Sequence, residues 1–372
     1  MHTFNVLKLK KQLTGKRLGV AYLMVITALS VLSIIAYDFQ YNAFLDTTLA
    51  YNARDELIAY YNAKSALEIQ LAVLRTMRQS QAVIGQLMPN VPITQFLKFA
   101  PITCSAMKQV MTLAEGGQPL KITGECHAQA VSEKSKIDIN RMSTLSDKQR
   151  IQGLLLARLL DPRYDHFFEE ENAAGQKVTR EELVSYISDY TDSDNTREGT
   201  TAADEDDIYS RLKDRYKVKN APFDSLDELQ LVFGIDDALF LSLQPSLTVY
   251  PVGGVNLAEA SYDTIAAIIR QAAKDPNNPM LYGEPMIKLF ESIQEVRLLP
   301  FSGATLNRSV LANLAQSAGI SVDEKKLSEM IDDNQSLDWF MIESEGQVNN
   351  VTRKIKTAYN LSNNQLVYYR EE

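Results

Sequence analysis

Val20–Tyr37 reads VAYLMVITALSVLSIIAY, eighteen residues without a charge, preceded by Lys16-Arg17-Leu18-Gly19 and closed by Asp38. At about 1.5 Å of rise per residue such a run spans roughly 27 Å, close to the hydrocarbon thickness of a bilayer. Upstream, Met1–Gly19 holds Lys8, Lys10, Lys11, Lys16 and Arg17 and no acidic residue. Cations on that flank keep the N-terminus cytoplasmic and send everything after Asp38 across the membrane. A cleaved secretory signal needs a shorter apolar core followed by a small-x-small site, which SIIAYDFQ does not offer. The segment therefore reads as a retained single-pass anchor. From Phe39 to about Gln79 there is no Gly or Pro, and Leu45, Leu49, Leu57, Ile58, Tyr61, Leu67, Leu71 and Leu74 recur mostly three or four apart. The spacing predicts one amphipathic rod of about 55–60 residues, about 85 Å long, continuous with the anchor.

Outward from the rod, composition sets the class. Of 372 residues, 45% are hydrophobic and 23% charged, a globular balance. The 38 basic and 47 acidic residues leave a net charge of −9, which repels a phosphate backbone and argues against a nucleic-acid partner. Pro89, Pro92 and Pro101 end the rod. Leu120–Ala130 alternates as a strand, with Leu120, Ile122, Cys126 and Ala128 on its inner face. Cys104 and Cys126 are a lone pair in an exported compartment, so they are a candidate disulfide; two buried free thiols are the other reading. Residues 138–335 read mainly as helices: Asp147–Leu160, Arg180–Asp189, Ser225–Phe233, Asp236–Leu243, Ser261–Ala273, Pro285–Glu295 and Leu306–Ala318. Strands return at Leu337–Ser344, Val351–Tyr359 and Gln365–Tyr369.

That order predicts an α+β fold: a long N-terminal helix packed on a small antiparallel sheet, with a large, mainly α-helical domain inserted into it. The implied segments are a leader over 1–19, a span over 20–37 and the exported rod over 38–79. The first part of the α/β domain follows over 80–137, the insertion over 138–335 and the final strands over 336–372. Asn140 and Asn256 each sit in a short extended stretch between apolar residues, where an amide can bond turn backbone and act as a structural joint.

A basic leader ending in Gly directly before an uninterrupted apolar helix resembles the type IV pilin class of signal, which is cut after the Gly on the cytoplasmic side. The chain as a whole resembles the K-type minor pseudopilins of type II secretion (general secretion pathway protein K). The resemblance rests on the Gly19–Val20 junction, Ala63-Lys-Ser-Ala66-Leu67-Glu-Ile-Gln-Leu71-Ala and Ile139-Asn140. Asp189-Tyr-Thr-Asp192-Ser-Asp194, Glu205-Asp-Asp-Ile-Tyr209, Asn220-Ala-Pro222-Phe-Asp-Ser-Leu226-Asp-Glu228-Leu229, Gly234-Ile-Asp-Asp and Val255-Asn256-Leu-Ala258 follow in order. It implies a pilin-like fold, cleavage by a prepilin peptidase between Gly19 and Val20, and methylation of the new terminus. General pilins carry Glu at the fifth mature position; here it is Met24, as K-type members lack that carboxylate. The implied partners are the I-type and J-type minor pseudopilins, other pseudopilins and the inner-membrane assembly platform. The implied place is the inner membrane, N-terminus cytoplasmic and head periplasmic, at the tip of a pseudopilus whose assembly it helps to initiate. A minor pilin of a related type IV pilus-like machine and an anchored extracytoplasmic binding module are the alternatives.

Ser188–Asp207 is the densest polar stretch. Hard carboxylate oxygens on a loop suit calcium, which takes six to eight oxygen ligands. Asp192-Ser-Asp194-Asn-Thr196 begins like an EF-hand loop, but Arg197 replaces the required Gly and Ala203 stands where the bidentate Glu belongs. K-type pseudopilins bind calcium in this acidic region, so the resemblance implies calcium here, with Asp189, Asp192, Asp194, Asp206 and Asp207 as candidate ligands. A solvated acidic loop is the plain alternative. Phe223–Leu247 has the form of a helix-hairpin-helix with Gly234 at its turn. No Lys or Arg lies between Asn220 and Val249, so it is packing architecture rather than a DNA contact. His2, His127 and His166 stand apart without a nucleophile motif, and there is no Gly-rich phosphate loop. The chain reads as a non-enzyme.

Overall fold

The computed structural model describes residues 4–87, 102–106, 108, 122–169, 177–199, 203–298, 306–333 and 338–372, with side chains from residue 19 and, in the first helix, to residue 80. One helix, α1, runs unbroken from Phe4 to Leu87, through the leader and past the expected end near Gln79. Its only breakers are Gly15, Gly19 and Gly85, each worth about 1 kcal/mol against helix, and the first Pro is Pro89. Residues 19–54 are exposed on every side, apolar ones included, and burial begins at Asp55. Within Gly19–Ser80, α1 holds the one stretch among the described residues that is long and apolar enough to cross a membrane.

The buried stripe of α1 is Ala59, Ala63, Ala66, Leu67, Gln70, Leu71 and Leu74, the three-and-four spacing of one helical face. It lies on a sheet built from β1 (Ile102–Thr103), β2 (Glu125–Ser132), β5 (Trp339–Val348), β6 (Val351–Asn360) and β7 (Gln365–Glu371), in the order β1-β2-β5-β6-β7 and antiparallel throughout. A second pairing joins β3 (Ile137–Asp138) to β4 (Leu247–Thr248) in parallel. On β5 the even residues Phe340, Ile342 and Ser344 face the helix, and Ala63, Leu67, Leu71 and Leu74 pack on Phe340, Ile342, Ile355, Tyr359 and Leu361. At Gly346 the helix backbone comes so close that a Cβ would collide with the carbonyl of Ala59 and lie 2.6 Å from the Ala63 nitrogen. Polar latches flank that contact. Asp55 accepts from Asn349 at the β5–β6 turn (2.6 Å), Arg75 donates to the Tyr359 hydroxyl (2.9 Å), and Arg78 donates to the Leu361 carbonyl.

The strand expected at Leu120–Ala130 starts later, at Glu125, after Gly124 turns the chain at positive φ; Leu120 lies outside the described residues. Cys126 and Ala128 face inward as the alternation requires. Cys104, in the turn after β1, is disulfide-bonded to Cys126 with Cα atoms 4.9 Å apart, and both pack against Ala66 of α1.

The helical block is inserted between β2 and β5, neighbouring strands in the sheet. Its helices are Lys148–Leu159, Asp165–Glu169, Arg180–Thr191, Asp206–Tyr209, Asp237–Leu243, Tyr262–Ala272, Glu284–Leu298, Arg308–Ser317 and Glu324–Met330. Ser225–Phe233 is a 3-10 turn over Leu226–Leu231 rather than an α-helix, and Glu324–Met330 was not anticipated. Both are short segments whose conformation is set by packing more than by periodicity. Asn140 is a joint as expected: its amide donates to the carbonyls of Phe223 (2.9 Å) and Val249 (2.7 Å) and accepts from the Phe223 amide (2.7 Å). Gly234 turns the hairpin at φ 91. At the collar where block meets sheet, Tyr250 stacks on Trp339 at 5.0 Å and Lys134 pairs with Asp332 at 2.7 Å.

Gly346→Val should therefore push α1 off β5 and lower the unfolding free energy by about 1–3 kcal/mol, the usual cost of overpacking. Urea denaturation of the two proteins checks it.

Candidate metal centre

The acidic stretch is positioned by a helix with a defined start. Thr179 caps the Arg180–Thr191 helix through a capping box with Glu182, and Leu183, Ile187 and Tyr190 fix its inner face. That face carries Ser188, Asp189 and Thr191 into the interior, and the helix ends at Asp192, whose amide donates to the Ser188 carbonyl. The following loop folds back on itself. The Arg197 amide donates to the Ala203 carbonyl (3.0 Å), and Thr196 and Asp204 form an antiparallel bridge. This reversal returns Glu205 to the helix end.

Asp192, Asp194 and Glu205 each aim a carboxylate oxygen into one spot, with those oxygens within 4.8 Å of one another. Asp189 flanks it and is held by the Glu198 amide at 3.1 Å. Lys148 reaches across from the neighbouring helix to Asp192 Oδ2 (2.9 Å) and Glu198 (3.5 Å), while Asn220 holds the loop through the Asp194 carbonyl (2.7 Å). Glu205 is only 3% exposed, yet among the described residues neither of its carboxylate oxygens nor Asp192 Oδ1 has a hydrogen-bond partner. Burial and the surrounding carboxylates Asp189, Asp192, Asp194 and Asp204 push the Glu205 carboxyl up to about 8. Burial likewise raises Asp189 to about 7 and raises Asp192. Unbonded carboxylate oxygens of the buried Asp192 and Glu205 meet Asp194 at one spot, and this donor set fits a hard divalent cation such as calcium.

Of the five candidate ligands, Asp192 and Asp194 converge and Asp189 stands beside them. Asp206 and Asp207 do not join. Asp206 accepts from the Val218 amide (3.0 Å) and lies 3.5 Å from Lys217, and Asp207 is exposed in the next helical turn. The residue that sequence reasoning missed is Glu205. Counting an EF-hand loop from Asp192 stops at Ala203. The signal available was a Glu two residues further on, reached because the Thr196–Asp204 bridge shortens the path back.

Comparison with known proteins agrees with this architecture. Residues 137–252, which include the acidic loop and both strands of the parallel pair, match the family described as type II secretion system (T2SS), protein K. A curated relative, the type II secretion system protein K of Pectobacterium carotovorum subsp. carotovorum, is 26% identical over 147 residues, 37% of this chain and 44% of that one. The chain thus matches less than half the length of that relative. The crystal structure of the GspK-GspI-GspJ complex from the enterotoxigenic Escherichia coli type 2 secretion system contains a chain with the same fold. The TM-score is 0.56 at 14% identity, covering 88% of this chain and 99% of that one. The domain match falls in the helical block that interrupts the sheet packed on the 84-residue helix, and it is over these residues that the chain is similar to the type II secretion system protein K family.

Proposed function

We propose that the chain is a minor pseudopilin, a structural subunit of the type II secretion pseudopilus, seated at the tip and helping to start its assembly. The observation that carries this reading is α1: it is exposed from residue 19 to 54 and apolar over Val20–Tyr37, while residues 55–74 are locked to the sheet. An exposed apolar helix joined rigidly to a folded head is stable only among lipid tails or partner helices. The anchor sits in the inner membrane with its N-terminus cytoplasmic and its head periplasmic, and a prepilin peptidase cuts between Gly19 and Val20. The partners are I-type and J-type minor pseudopilins, by analogy with the complex that shares the fold. Bulk inserted between β2 and β5 would obstruct a further subunit above it, which suits a tip. The role is mechanical and needs no catalytic group.

The mature chain should begin at Val20 by intact mass, with a methylated terminus; a chain retaining Met1 would overturn pilin-type processing. Val31→Asp should abolish co-purification with the I-type and J-type subunits, since a carboxylate at mid-bilayer costs about 2.5–3.5 kcal/mol. Undiminished co-purification would count against docking through the helix.

The metal centre is proposed to hold calcium through Asp192, Asp194 and Glu205, with Asp189 beside them. When bound, the ion neutralises these carboxylates and ties the Ser193–Asp204 loop to the end of the Arg180–Thr191 helix. The sign of the pH effect follows from the raised carboxyls. Asp189 rises from 3.8 to about 7 and Glu205 from 4.5 to about 8, so the unfolded chain releases these protons first as pH rises. Without calcium, the contribution of these two groups to stability should fall from about pH 4 to about pH 8. Calcium should raise the melting temperature more at the upper end, where no proton competes. Glu205→Gln should remove most of the calcium-induced shift and raise the metal-free melting temperature near pH 8. Scanning calorimetry with EDTA or calcium reads all three.

A further inference from the structure

Charge is unevenly spread along the chain. Residues 138–335 carry 34 carboxylates against 20 Lys and Arg, a net of −14, while the remainder is net +5. Inside this acidic block five of the 20 cations fall within nine residues: Arg211, Lys213, Arg215, Lys217 and Lys219. The segment between them is fastened from beneath. Leu212, Tyr216 and Val218 are half-buried against the main core. The Tyr216 hydroxyl donates to the Leu231 carbonyl (2.6 Å), its ring sits 5.2 Å from that of Tyr209, and the Val218 amide donates to Asp206 (3.0 Å). With the even positions 212, 216 and 218 seated, Arg211, Lys213, Arg215 and Lys217 stand outward and exposed.

Lys219 is neutralised by Asp224 (2.8 Å) and Glu228 (2.6 Å), and Lys217 lies 3.5 Å from Asp206. Among the described residues no carboxylate comes within 4.0 Å of Arg211, Lys213 or Arg215, although the exposed Asp214 lies in the same run. Elsewhere in the block many cations pair with carboxylates, as Arg158 does with Asp263 and Arg270 with Asp161. Grouping unpaired cations costs mutual repulsion, and a domain with 34 carboxylates has no need of them for solubility. We propose that the Arg211–Lys217 ridge is a docking surface for an acidic segment of a partner protein. Charge complementarity selects the occupant, and its width decides the class. An anionic membrane is a broad plane, and it would repel the exposed Asp207, Asp214 and Asp224, neighbours of the ridge in sequence. A single extended acidic segment can follow the ridge alone, and the ridge exposes no large apolar side chain to enter lipid. This surface is separate from the anchor helix and from the metal centre, so it stands whether or not the pseudopilin reading does.

The test uses the full chain in phosphatidylcholine nanodiscs and a fluorescein-labelled decaglutamate peptide as probe, read by anisotropy. Binding should weaken steeply with salt. Arg211→Glu with Lys213→Glu and Arg215→Glu should reduce it at least about tenfold, and the matching Gln triple by less. Lys288→Glu with Lys325→Glu and Lys326→Glu, the same charge change on other helices, should leave it unaltered. Equal loss in that control, or no loss in the ridge variants, overturns the proposal. So does wild-type capture of phosphatidylglycerol vesicles that the ridge triple abolishes while the peptide is not bound, because the occupant would then be lipid.

Discussion

The contact between the small-residue face of α1 and Gly346 of β5 governs the rest of the molecule. Ala59 and Ala63 bring helix backbone against sheet backbone at Gly346, and a larger residue on either element would hold the two apart. Close approach puts Leu67, Leu71 and Leu74 deep among Phe340, Ile342 and Tyr359, fixing the direction in which the helix leaves the head. The exposed half of α1 is therefore a rigid extension rather than a tether. A rigid extension can transmit the orientation of the head to whatever packs around the apolar helix, which a flexible linker could not.

The inserted block is attached with comparable definition. The connection from β2 passes through a collar in which Ser132, Glu133, Lys134 and Ser135 are all buried. Glu133 is paired with Lys136, and Lys134 with Asp332. The β3–β4 pair, the Asn140 amide and the Tyr250–Trp339 stack add polar and aromatic contacts around the same place. Isolated buried charges are costly, so each is met by a partner, Glu133 locally and Lys134 by Asp332 from the far end of the block. The disulfide between Cys104 and Cys126 secures the opposite edge, under Ala66.

Electrostatics divides the head into distinct surfaces. The acid-rich loop turns inward at Asp192 and Glu205, where buried carboxylates lack internal donors, and outward at Asp207. A few residues on, the sign reverses in the Arg211–Lys217 ridge. Asp206 lies between them, adjacent in sequence to Glu205 and bonded to the backbone of the ridge at Val218. One short stretch of chain thus sets the geometry of a carboxylate cluster and of a cationic surface together.

Sequence alone determined the anchor, the long helix, the inserted helical block and the closing strands, because each is written as a local hydrophobic period: unbroken apolar over Val20–Tyr37, three-and-four over Leu57–Leu74, alternating in the final strands. Boundaries were less legible where packing competes with propensity, as at Leu87, Glu125 and the 3-10 turn after Ser225. The acidic loop was visible as a composition, and Asp192 and Asp194 could be chosen from spacing. Convergence could not be read that way. Only the tertiary structure decided that Glu205 returns to Asp192 while Asp206 and Asp207 turn away, because a loop reversal closed by the Thr196–Asp204 bridge obeys no local period, and burial, which strips these carboxylates of solvent, exists only once distant segments have met.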